Sequence, residues 1–192
     1  MADKCEGFLM KLFEGVFHAD QNGMSELDLG ILKVALLLAA IDGRFIEREI
    51  AMFDRLARKC KGWTEEASQA ALKESLHSAG YLLIQSKRLV EKDLLEAFLS
   101  EAQAALPEKF NEVPVIYIRR AFVIWTLMGY SDIEYSVMEH KAILALREKF
   151  GLESSVSDSF LDMVRQEIIK LNDASTVDEA VRVLSAFVDF SL

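Results

Sequence analysis

The chain has 192 residues, 52 % of them apolar, with a formal net charge of −9, two prolines and two cysteines. That length is enough to bury one substantial core without staples. The acidity excludes a phosphate backbone or an anionic membrane surface as the main ligand, because both demand a basic face.

The opening residues MADKCEGFLMKLF are acidic and amphipathic, unlike a signal peptide. Phe8, Leu9, Leu12, Phe13, Val16 and Phe17 line one stripe of a helix expected over about residues 3–17, which HADQNG ends. Ser25 with Asp28 then caps a helix running through GILKVALLLAAIDG. Lys33 and Asp42 interrupt this oily run, leaving it too short to cross a bilayer and suited to a buried core helix. Asp42-Gly43 stops it, since glycine takes the left-handed turn cheaply. Further helices are expected over about residues 47–61, from Thr64 to about Ser78, and over 89–106 up to Pro107. After the loop PEKFNEVP, four more are expected near 115–128, 136–150, 157–171 and 176–190. Leu, Ala, Glu and Lys dominate throughout, so the expected fold is all-α, a single domain of eight or nine helices.

An internal repeat organises these helices. VALLLAAIDGRFIEREIAMFDRLARK (34–59) aligns without a gap on IWTLMGYSDIEYSVMEHKAILALREK (124–149), at an offset of 90. Asp42 falls on Asp132, Phe45 on Tyr135, Glu49 on Glu139, Leu56 on Leu146 and Lys59 on Lys149. The spacing of seven between the acids recurs in both copies. Two four-helix units are therefore expected, over about 25–106 and 113–192, with the N-terminal helix as an addition.

The acidic turn at the centre of each unit admits two readings. In the structural one, Glu49 sits at N3 behind a cap at Ile46, with Phe45 and Ile50 as a hydrophobic staple. The second copy offers Ser136 with Glu139 as a capping box, or Ser131 with Glu134 one turn earlier. In the functional reading, pseudo-two-fold packing brings Asp42, Glu49, Asp132 and Glu139 together. Four carboxylates side by side need a cation or raised pKa values, and all-oxygen ligands suit Ca²⁺ or Mg²⁺.

AAIDGRFIEREIAMFDRLA resembles the TerB-like pattern: an alanine-rich helix, Asp-Gly, an apolar residue two further on, and Glu seven after the Asp. Asp42, Gly43, Phe45 and Glu49 match it position by position; in the second copy Ile133 replaces the glycine and Asp132 and Glu139 keep their places. The resemblance implies two similar helical halves, a role in bacterial tellurite resistance or stress response, kinship with the N-terminal region of a DnaJ-type co-chaperone, and a metal or partner site at the shared acids.

Rival constellations are thinner. A helical-bundle metalloenzyme would need two Glu-x-x-His pairs, and only Glu74 with His77 has that spacing. Placing Gly23 at the sixth position of an EF-hand loop puts His18 first and Leu29 last, where acids are required. Cys5 and Cys60 stand alone, with no CxxC or histidine cluster, and read as reduced thiols in a cytosolic protein. Arg119, Arg120, Lys87 and Arg88 are too few for a nucleic-acid face. The expectation is a cytoplasmic, non-enzymatic module that binds a divalent cation or a protein partner, with no nucleic acid and no membrane span. A homodimer is compatible with it, and a purely structural scaffold is the plainest alternative.

Overall fold

Ser25 starts the first helix in the computed structural model, which describes residues 25–44, 49–50, 53, 64–129 and 136–173. Its hydroxyl accepts from the Asp28 N–H at 3.1 Å and donates to an Asp28 carboxylate oxygen at 2.6 Å, so one side chain satisfies an orphan N–H and holds the acid over the helix start. From this cap runs α1 (Glu26–Ala40). Residues Val34 to Ala40 are all buried, front and back, which is what an all-round apolar helix requires of its surroundings.

Among the described residues all regular structure is helical: α1 is followed by α2 (Glu65–Gln85), α3 (Glu91–Ala105), a 3-10 turn (Phe110–Glu112), α4 (Val115–Gly129), α5 (Val137–Lys149) and α6 (Asp158–Asp173). The expected total of eight or nine is thus represented by six α-helices. The helices expected over 3–17 and 176–190 lie outside the described residues, as does most of 47–61, where Glu49, Ile50 and Phe53 are helical. No described helix is long and apolar enough to cross a membrane.

The central position of α1 explains its burial, for α2, α3, α4 and α5 all pack against it. At Gly30 the backbone of α3 comes so close that a Cβ would lie 2.4 Å from the Ala105 carbonyl oxygen. On the opposite flank, α4 delivers Trp125, whose indole N–H donates to the Ile31 carbonyl at 3.0 Å, a buried bond across the α1–α4 contact. Phe122 and Phe110 flank that indole and Phe150 packs on Phe110, with ring centroids 4.9 Å (Phe122–Trp125), 6.0 Å (Phe110–Trp125) and 5.5 Å (Phe110–Phe150) apart. Trp125, fully buried, is thus an anchor of the core. Past the end of α5 and its C-cap Phe150, Gly151 has a φ of 62° that allows Leu152 N–H to turn back to the Arg147 carbonyl at 2.9 Å. Arg119 of α4 reaches the next loop, donating through Nε to the Ser155 carbonyl at 2.9 Å with its guanidinium over the Phe160 ring.

Candidate functional site

The acidic turn after α1 is built from its backbone outward. Ile41 N–H donates to Leu38 and Gly43 N–H to Ala40, both at 3.2 Å, which closes the last carbonyls of the helix. Gly43 has φ +84°, a left-handed conformation that favours glycine. A Cβ there would sit 2.9 Å from the Ser86 hydroxyl, which is itself committed to the Leu83 carbonyl at 2.8 Å. The turn is therefore seated against the end of α2. Asp42 Oδ1 accepts from the Arg44 N–H at 2.8 Å, an Asx turn that gives this half-buried acid a structural role of its own.

The two glutamates seven residues beyond the repeat acids share one property. Glu49 is helical and 2 % exposed; Glu139, in the first turn of α5, is also 2 % exposed. Ser136, not an earlier residue, is the cap of α5. Its hydroxyl accepts from Glu139 N–H at 3.1 Å, and Glu139 Oε2 accepts from Ser136 N–H at 2.7 Å, a complete capping box. Burying a carboxylate is costly without such donors, and the helix N-terminus adds favourable potential at this position. The residues expected to cap the helix of Glu49, Phe45 and Ile46, lie outside the described residues, as do Asp132, Ser131 and Glu134.

Among the described residues no group of three or more His, Cys, Asp or Glu side chains is placed to hold a metal ion. Asp42, Glu49 and Glu139 thus do not form such a group by themselves. The other spacing of interest, Glu74 with His77, lies on the exposed outer side of α2, and Glu74 is engaged by Lys33 at 2.6 Å. Cys5 and Cys60 lie outside the described residues.

Two features escaped the sequence reading. Asp28, treated there only as a cap partner, is a third buried acid at 4 % exposure. Lys33, which merely interrupts an oily run, extends from the core helix to bridge α1 and α2 through Glu74, and with Ser75, Ser78 and Glu101 it lines a small polar cleft of about 80 Å³. A single lysine amid aliphatic residues was the available signal. Comparison of the chain with protein-family models, curated proteins and solved structures finds no match.

Proposed function

We propose that the chain is a non-enzymatic interaction module of TerB-like type, serving a bacterial stress response, in which the acidic turns of two pseudo-repeats engage a cationic group. That group is a divalent ion such as Ca²⁺ or Mg²⁺, or a basic side chain of a protein partner. The observation that carries the reading is the matched burial of Glu49 and Glu139, each 2 % exposed at equivalent places in the repeat. Each also lies seven residues past an aspartate, the spacing that the TerB-like resemblance assigns to the shared acidic site.

The helix bounds support the repeat. Shifting α1 (Glu26–Ala40) by 90 gives 116–130, against an observed α4 of Val115–Gly129; shifting α2 (Glu65–Gln85) gives 155–175, against α6 at Asp158–Asp173. The equivalent helices α1 and α4 pack directly on each other. Pairing of like elements is the arrangement that would let Asp42, Glu49, Asp132 and Glu139 serve one interface.

Metal-stripped protein melted with and without Ca²⁺ or Mg²⁺ tests the cation arm. A site filled at a hundredfold excess over Kd adds about 2.7 kcal/mol, which for a chain of this size is a rise in Tm of roughly 5–10 °C. Asp42→Asn with Glu49→Gln should abolish that rise while far-UV circular dichroism stays unchanged. Without a rise, the partner arm requires a co-purifying protein that the double variant loses and that salt releases. If neither signal exists, the acids only cap helices and the proposal is wrong.

A further inference from the structure

The outer face of α2 carries a stripe that the core does not use. Ser75, Ala79 and Leu82 point inward and are buried, whereas Glu66, Ala70, Lys73, His77, Tyr81 and Ile84 are all exposed. At 100° per residue these six lie within roughly 40° of His77 on the helical wheel, and Arg88, in the turn that prolongs the helix, continues the row. Tyr81 is 44 % and Ile84 52 % exposed, large apolar groups left facing solvent one turn apart. Gly80 borders the same row. A glycine inside a helix costs about 1 kcal/mol relative to alanine, yet nothing lies within 4 Å of where its Cβ would be. The described fold gives no reason for it; close approach by another helix would.

The charges along the stripe select the occupant. Its N-terminal end is acidic (Glu65, Glu66) and its C-terminal end basic (Lys87, Arg88). We propose that this face of α2 is a homodimer interface, in which α2 of a second copy packs antiparallel about a two-fold axis at His77. An isologous contact makes every pairing occur twice, and with the axis at His77 the register follows from arithmetic. Glu66 meets Arg88, small Ala70 meets large Ile84, Lys73 meets the ring of Tyr81, and Gly80 gives room opposite Glu74. A parallel arrangement would instead set Glu66 on Glu66, Lys73 on Lys73 and Arg88 on Arg88, so like charges exclude it. α2 has 21 residues, about 31 Å of helix. One helix pair of that length stands at the small end of specific interfaces.

Sedimentation equilibrium of the full chain over a concentration series tests this. Wild type should pass from monomer to dimer with concentration. Arg88→Glu places two repulsive pairs in the interface and should weaken the dimer roughly tenfold or more; Glu66→Arg combined with Arg88→Glu should restore it. Ile84→Asp should abolish it, with circular dichroism unchanged because the side chain is more than half exposed. A wild type that stays monomeric throughout the series overturns the proposal and leaves the face to an unlike partner. A dimer indifferent to Arg88→Glu and Ile84→Asp, or a double charge swap that fails to restore association, overturns it equally. The inference is independent of the acidic turns, so either can fail alone.

Discussion

Gly30 and Gly80 both lie inside α-helices, yet their surroundings are opposite, and the same substitution has opposite consequences. At Gly30 a methyl group would stand 2.4 Å from the Ala105 carbonyl oxygen and 3.4 Å from the Leu106 Cα, all of it backbone that cannot rotate away. Gly30→Ala must therefore push α1 off α3, and overpacking of this kind costs about 1–3 kcal/mol, more than the helix propensity gained. At Gly80 nothing opposes the methyl, so Gly80→Ala should stabilise the monomer by about 0.5–1 kcal/mol through reduced chain entropy. Urea midpoints for both variants, taken at protein concentrations too dilute for association, check the pair of signs. Neither glycine is singled out by its sequence context, because helix propensity registers the cost of glycine and not what stands next to it.

Element boundaries were readable to the extent that local chemistry decides them. Ser25 with Asp28 and Ser136 with Glu139 cap α1 and α5 as their side chains suggest, and Gly43 and Gly151 take the positive φ that ends each helix. Ser136→Ala should cost about 1 kcal/mol. It removes the acceptor for Glu139 N–H but leaves Glu139 bonded to the backbone N–H of residue 136. Ser136→Thr should retain most of that stability, and denaturation midpoints distinguish the two. Where local chemistry is silent the reading fell short. α2 was expected to end near Ser78 and runs to Gln85, because packing on α1 carries the helix through Gly80. The stretch PEKFNEVP, expected only as a loop, contains a 3-10 turn that buries Phe110 against Trp125 and Phe150. The recurring acids are visible as a pattern of spacings, but the burial of Glu49 is a tertiary fact that no spacing encodes.

At the scale of the molecule, α1 determines how the chain comes apart. Helices from both sides of the expected repeat boundary, α2 and α3 from one and α4 and α5 from the other, bury their apolar faces on it. Lys33 joins it to α2 and Ile31 accepts from Trp125 of α4, so polar bonds as well as packing tie the two sides to one element. Losing α1 strips apolar contacts from both sides at once, and α3 packs on α5 across the boundary as well, so the described fold should unfold in one step. Leu36 lies near the middle of α1, wholly buried. Leu36→Ala should cost about 2–5 kcal/mol, and the loss should lower the entire transition together, with far-UV circular dichroism and tryptophan fluorescence shifting by the same amount. Two transitions, only one of them displaced by Leu36→Ala, would mean that the halves hold their cores separately and that α1 belongs to one of them.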